Sequence, residues 1–196
     1  MASMIVIRTA IFAAIFGMVG TVAVGRSAPQ RPRPATLRYP LVCARIKVGV
    51  STDADVRRLY GKGYFVPAES HSGGRYYVDP RHTATLHTEI GVDSIIESLE
   101  YRQGVHLPRR SRTVLAAATT PRLSSHEKVE GGIGLGDVAV VVLQKYGRPK
   151  SDKRHLGARV VKYEATEGQI PGVLAYEATF RFGADRLVSV SLYNGE

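Results

Sequence analysis

The stretch Gly132–Pro149 reads GIGLGDVAVVVLQKYGRP, the pattern of a glycine-rich turn, a short helix and a stop signal. Val138, Val142 and Tyr146 are spaced by four residues and would share one face of a helix. The closing Gly-Arg-Pro ends the helix, because proline disfavours helical geometry in the residue before it. The stretch therefore predicts a short helix that packs through its valines and its tyrosine.

Two other interpretations of this stretch are open. The β-branched run Val138–Leu143 would suit a buried strand, although Asp137 as an N-cap and the polar continuation at Gln144 favour the helix. The glycines also invite a phosphate-loop interpretation. However, Asp137 stands where the dinucleotide pattern needs its third glycine, and its charge would repel phosphate. The glycines are therefore interpreted as turn formers.

A degenerate copy of the stretch lies earlier in the chain, at Val48–Gly63. Thr52 and Asp55 fit a capping box at a helix N-terminus, and glycines at the far end fit a C-cap. Val56 and Tyr60 match residues of the later stretch at an offset of 86. The copy therefore predicts a second short helix of the same kind.

Strand patterns follow each helix in the same order. The predicted strands are Tyr64–Val66, Arg75–Val78, Thr83–Ile90, Ser94–Arg102, Arg159–Glu164, Gly172–Phe182 and Leu187–Tyr193. The two strand blocks match at an offset of 92, which indicates an internal repeat. We therefore predict an α+β fold of two tandem repeats, each a short helix packed on an antiparallel sheet of three or four strands.

The N-terminus has the pattern of an export signal. The run Thr9–Gly25 is uncharged and apolar, and its small-residue end suits a signal peptidase; an uncleaved membrane anchor is the alternative. The predicted organisation is a signal peptide at 1–25, a Pro/Arg-rich tether at 26–40, a first repeat at 41–104, a basic linker at 105–130 and a second repeat at 131–196. Cys43 is the only cysteine, so an exported chain would fold without an internal disulfide.

The net charge of +10 is unevenly distributed along the chain. Residues 26–38 carry +4 and residues 105–128 carry another +4, whereas residues 39–104 are neutral and residues 129–196 carry +1. A nucleic-acid-binding domain is expected to have a basic face on its folded part. The neutral repeats therefore disfavour nucleic acid, and the basic segments are expected to contact anionic envelope polymers or lipid at most.

A basic loop and several tyrosines form the candidate binding surface. Residues 145–162 hold seven basic residues and one acid, which suits an anionic partner surface, although a solvated loop is the simpler interpretation. Tyrosine is favoured at interfaces but also packs well between a sheet and a helix. The predicted binding residues are Lys145, Arg148, Lys150, Lys153, Arg154, Tyr163, Tyr176 and Tyr193.

Other chemistries have little support in the sequence. His87 and Glu89 would share a strand face, but a zinc site needs three or four convergent ligands and His82 falls on the other face. Ser72 lies beside His71, yet no Gly-x-Ser-x-Gly nucleophile elbow is present. We therefore expect no metal, no cofactor and no catalytic residues.

The motifs resemble a group of bacterial envelope domains. Val48-Gly-x-Ser and Gly134-x-Gly-Asp precede the helices, and Tyr146-Gly-x-Pro ends the second one. This pattern, over Ile46–Arg102 and Gly132–Tyr193, is similar to the SmpA/OmlA (BamE-like) lipoproteins and to the tandem-repeat β-lactamase inhibitory protein. The chain departs from both, since it lacks the lipidated cysteine of the former and the disulfides of the latter. The resemblance implies a protein-binding or accessory module.

The functional expectation is an exported, non-catalytic protein that binds another envelope or secreted protein through exposed sheet faces. A small secreted enzyme with an unfamiliar site is the alternative, and a nucleic-acid-binding protein is a weaker one.

Overall fold

The computed structural model describes residues 39–68, 73–91, 93–155, 157–166, 169–170 and 175–195. The predicted signal peptide at 1–25 lies outside the described residues, and only Tyr39 and Pro40 of the predicted tether lie within them. All described residues belong to one compact unit. Within the described residues, the helices lack the length and the apolar character that a membrane span requires.

The described chain contains three short helices and twelve strands, named here in chain order. They are β1 (Val42–Cys43), β2 (Ile46–Lys47), α1 (Asp53–Tyr60), β3 (Tyr64–Val66), β4 (Gly73–Val78), β5 (Ala84–Ile90), β6 (Ile96–Gln103), α2 (Arg112–Ala118), β7 (Lys128–Val129), β8 (Ile133–Gly134), α3 (Ala139–Tyr146), β9 (Ser151–His155), β10 (Ala158–Thr166), β11 (Ala175–Gly183) and β12 (Arg186–Gly195).

The predicted fold class is wrong. The protein is mostly β, and its strands form an eight-stranded and a four-stranded antiparallel sheet. The large sheet has the order β3-β4-β5-β6-β12-β11-β10-β9, and the small one has the order β2-β1-β7-β8. Strands assigned to two separate repeat sheets therefore belong to one continuous sheet, because β6 pairs directly with β12.

The predicted capping box of α1 is confirmed. The Thr52 side chain accepts a hydrogen bond from the Asp55 amide, and the Asp55 carboxylate accepts one from the Thr52 amide in return. Both bonds satisfy amides that the first helical turn leaves without partners. Asp53, in the same turn, pairs with Arg57 and with Arg75 of β4 and so ties the helix to the sheet.

The later stretch forms a helix, as predicted, but its cap differs. Val138 is the N-cap of α3 and makes no side-chain cap bond. The Asp137 carboxylate instead accepts a hydrogen bond from the Gly134 amide at 2.8 Å. Asp137 therefore closes the turn before the helix, as aspartate commonly does, and leaves the helix start to packing.

The small sheet and β9 are absent from the sequence-based prediction. The strands β1, β2, β7 and β8 have only two residues each, too few for an alternating pattern. β9 reads SDKRH and has no apolar alternation, so its sequence alone predicts a part of the basic loop. β9 forms because backbone pairing with β10 supplies what its own residues do not, whereas the small sheet forms where two short hairpins pair with each other.

Four tyrosine hydroxyls tie the helices to the sheets. Tyr60 of α1 donates to the Ala44 carbonyl, and Tyr146 of α3 donates to the Glu130 carbonyl. Tyr77 of β4 and Tyr163 of β10 donate in turn to the carbonyl groups of Gly61 and Gly147, the C-caps of the two helices, at 3.3 and 3.1 Å. The contacts recur at an offset of 86 residues, so the internal similarity seen in the sequence is a similarity of contacts within one core.

Replacing Tyr146 with Phe should lower the free energy of unfolding by about 1–3 kcal/mol, because the Glu130 carbonyl then loses its donor. Urea unfolding measures this change. Tyr64→Phe is the matched control, since the Tyr64 hydroxyl has no hydrogen-bond partner among the described residues. Equal stabilities for the two variants would contradict this role of the Tyr146 hydroxyl.

Candidate functional site

The two faces of the eight-stranded sheet carry different side chains. Paired residues on neighbouring strands point to the same face, and successive residues of one strand point to opposite faces. One row of core residues runs across six strands through Tyr77, Leu86, Tyr101, Val190, Phe180 and Val161. The residues before and after them in each strand must therefore lie on the opposite face, which is called here the open face.

Three rows of side chains cross the open face. The basic row contains Thr85, Arg102, Ser189, Arg181, Val160 and Lys153. The middle row contains Tyr76, His87, Glu100, Ser191, Thr179 and Lys162. The acidic row contains Glu89, Ser98, Tyr193, Glu177 and Glu164.

The rows give the open face a charge gradient along the strand direction. Adjacent rows are about 7 Å apart, since each row is two residues from the next, and adjacent strands are about 4.8 Å apart. The basic row carries three cations and no acid, and the acidic row carries three carboxylates and no cation. Opposite charges thus lie about 14 Å apart on one nearly neutral surface.

Some of these charges are paired within the chain. Lys162 Nζ lies 2.9 Å from Glu177 Oε1, and Arg102 Nη1 lies 3.5 Å from Glu100 Oε1. Partial burial raises the pKa of Glu177, but hydrogen bonds from Thr179 and Lys162 outweigh it and leave that pKa below its usual value. The middle row therefore neutralises part of each outer row.

A cleft of about 310 Å³ lies at the β4–β6 end of the open face. Its floor includes His87, Glu100 and Arg102, and the segment Val105–Arg110 forms its wall. The wall is fixed at Thr85, whose hydroxyl accepts from the His106 amide at 3.0 Å and donates to the Gly104 carbonyl at 2.7 Å. The cleft is thus lined mainly by polar and charged groups on a hydrogen-bonded frame.

The rings of Tyr76 and His87 stack at the edge of this cleft. Their centroids are 4.1 Å apart and their planes differ by 15°. The imidazole Nε2 lies so close to Gly74 that a Cβ there would be only 2.6 Å from it, so glycine provides the room for the stack. Burial lowers the pKa of His87, although Glu89 and Glu100 act in the opposite direction. The ring is therefore held as the neutral form near pH 7.

The predicted basic residues do not form one surface. Lys145, Arg148 and Lys150 are exposed at the end of α3 and in the loop after it. Lys153 and Arg154 are neighbours on the edge strand β9 and point to opposite faces, and Arg154 lies 3.9 Å from Asp185. Charged residues on an edge strand also discourage unwanted strand pairing, which is a structural reason for part of this basic run.

The predicted tyrosines divide between core and surface. Tyr163 and Tyr176 are buried in the core, contrary to their predicted place on a binding surface, because both lie on the packed face of the sheet. The Tyr176 hydroxyl donates to the Pro40 carbonyl, and its ring meets that of Tyr39 edge-on. Tyr193 is 50% exposed in the acidic row of the open face. Tyr193 and Lys153 are therefore the predicted residues that the open face contains.

Of the other candidate chemistries, His71 and Ser72 lie outside the described residues. No group of three or more potential metal ligands comes together within the described ranges. Gly132 and Gly136 have positive φ angles in the turns before α3, which supports their interpretation as turn formers. The cleft residues His87, Glu100, Arg102 and His106 were not predicted as a site. The period-two alternation of β5 and β6 could have placed the first three on one face, but the loop that covers them could not be foreseen.

Comparison with protein-family models found no match, and comparison with curated proteins found none either. Among solved structures, the chain is similar to the crystal structure of a DUF4309 family protein, YjgB, from Bacillus subtilis. The sequence identity is 16%, the alignment covers 76% of this chain and 82% of that chain, and the TM-score is 0.41.

Replacing His87 with Gln should reduce the pH dependence of stability as the pH falls below about 6.5, the ordinary pKa of histidine. Burial lowers the pKa of folded His87 below its unfolded value. The unfolded chain then binds more protons in this window, so the free energy of unfolding of the wild type falls as the pH falls. Urea unfolding at several pH values measures the slope. His126→Gln, at an exposed position, should keep the wild-type slope; a wild-type slope in the His87 variant as well would contradict the assignment.

Proposed function

We propose that this chain is an exported, non-catalytic binding protein that docks another folded protein on the open face of its eight-stranded sheet. The observation that carries the proposal is the open face itself. It combines an exposed tyrosine, two rows of opposite charge and a polar cleft.

The size and composition of the open face support docking. From β4 to β9 it spans six strand spacings and three rows, roughly 600 Å² before side-chain relief is counted. A stable interface buries about 800 Å² on each partner, so this face is of nearly sufficient size. Tyrosine and arginine are enriched in interfaces, and Tyr76, Tyr193, Arg102 and Arg181 all lie on this face.

The cleft suits recognition better than acid–base catalysis. The Glu100 carboxylate already accepts a hydrogen bond from the Ser189 hydroxyl at 3.0 Å and lies beside Arg102. The His106 Nε2 atom lies 2.8 Å from the Gln103 carbonyl. These groups are fixed by internal partners, which favours a rigid recognition surface over a site that exchanges protons with a substrate.

Export is part of the proposal and rests on the N-terminal sequence together with Cys43. The apolar run Thr9–Gly25 supports a signal, with an uncleaved anchor as the alternative. Cys43 is completely buried, and that burial raises the pKa of its thiol well above the usual value. A protonated, inaccessible thiol suits a chain that passes through an oxidising compartment without a disulfide partner. The partner would then be another envelope or secreted protein.

A pull-down from an envelope fraction tests the docking face. Ser191→Arg places a bulky cation at the centre of the middle row and should remove the proteins that the wild type captures at moderate salt. Val140→Arg is the matched control, because Val140 is exposed on α3, a helix packed against the opposite face of the sheet. Identical captured proteins for the wild type and both variants would contradict docking on the open face.

The same experiment separates the alternative functions. Capture of nucleic acid that is lost steeply with salt would favour a nucleic-acid-binding protein. Capture of no macromolecule, together with turnover in a hydrolase panel, would favour a secreted enzyme.

A further inference from the structure

The outer rows of the open face carry unpaired charges at its β9–β11 end. The side chains of Arg181 and Lys153 in the basic row and of Glu164 in the acidic row make no ion pair or hydrogen bond among the described residues, although the charge of Arg181 helps to lower the pKa of Glu177. Arg181 and Lys153 lie on β11 and β9, and Val160 of β10 lies between them in the same row. Two cations thus flank one apolar position, which leaves a place for a carboxylate from outside the chain.

A two-fold axis along the middle row brings that carboxylate from a second copy. Rotation about this axis sets two open faces together and exchanges the basic row of one copy with the acidic row of the other. Glu164 follows Val160 by four residues on β10, so Glu164 of the second copy comes opposite Val160, between Arg181 and Lys153. The symmetry produces this cluster twice, as expected for a self-complementary interface.

The charge pattern selects this axis over the other possible one. A two-fold axis along the strands would set the basic row against itself and the acidic row against itself, which brings charges of like sign close together across the interface. Either axis keeps the strands of the two sheets aligned, the common geometry of packed sheets, so the charges decide between them. Lys162 of one copy then faces Lys162 of the other, and Glu100 faces Glu100. Each of these side chains already has an oppositely charged partner in its own chain.

The relief of the open face fits the same arrangement. The wall Val105–Arg110 stands at the basic-row side of the β4–β6 end. A second hollow, of about 180 Å³, lies at the acidic-row side of that end and is lined by Val66, Gly74 and Glu89. The axis brings the wall of one copy, with its arginines, over the hollow and the carboxylate of the other.

We propose that the open face docks a second copy of this chain, as a reversible two-fold dimer that must dissociate before another protein binds. This inference rests on the proposed function, since both use the same face, and it makes self-association a regulator of partner binding. With roughly 600 Å² buried on each copy, the interface is at the lower end of the specific size range, so the dimer should be weak and salt-sensitive.

Analytical ultracentrifugation of the full chain tests this dimer through paired charge reversals. The wild type should dimerise at about 100 micromolar in low salt and dissociate in high salt. The double variant Arg181→Glu, Lys153→Glu and the single variant Glu164→Arg should each be monomeric, with dimerisation at least tenfold weaker. An equimolar mixture of the two variants should form a heterodimer, because both clusters then regain opposite charges.

Two controls separate the effect of the open-face charges from changes in net charge or in folding. The double variant Arg148→Glu, Lys150→Glu has the same change in net charge off the open face and should dimerise like the wild type. Circular dichroism checks that each variant is folded. A monomeric wild type, or a mixture that stays monomeric, would overturn the dimer. Partner capture that still depends on Ser191 would then leave the proposed function in place, so the two failures are distinguishable.

Discussion

The structure depends on the pairing of β6 with β12. Five residue pairs, from Ser189 with Arg102 to Tyr193 with Ser98, join strands that lie about ninety residues apart in the chain. Without this seam the sheet would be two four-stranded pieces, each with one more edge to protect. With it, the core row and the three rows of the open face run unbroken from β5 to β10. The seam therefore creates both the single core and the wide open face on which docking is proposed.

The parts of the fold that could be predicted are those with local causes. The capping box at Thr52 and Asp55 and the glycine stops fix two short helices through contacts within a few residues. The seam has no local signature. β6 and β12 each have the pattern of an ordinary half-buried strand, and neither sequence indicates which strand it pairs with. The prediction of separate sheets failed at this point. The strand β9 could not be predicted for a different reason. Its charged residues form a strand only because β10 offers a free edge for backbone pairing.

The candidate site follows the same division. Alternation along β11 and β12 places Tyr193 on a polar face and Tyr176 on an apolar one, so the sequence held the signal that separates them. The cleft could not be predicted from alternation alone. Its wall at Val105–Arg110 has no hydrophobic periodicity, and hydrogen bonds to Thr85 hold it in place. The opposed charge rows also depend on register across strands, and a shift of one residue would move every one of these charges to the core face.

Hydrogen exchange of the backbone amides tests the continuous sheet most directly. If the seam joins one cooperative unit, amides of Leu99 and Tyr101 on β6 and of Val190 and Leu192 on β12 should be among the slowest to exchange. Their opening free energies should equal those of β5 and β11 and approach the free energy of global unfolding. Fast exchange at these four amides, or two separate opening free energies for the strands on either side of the seam, would contradict the account.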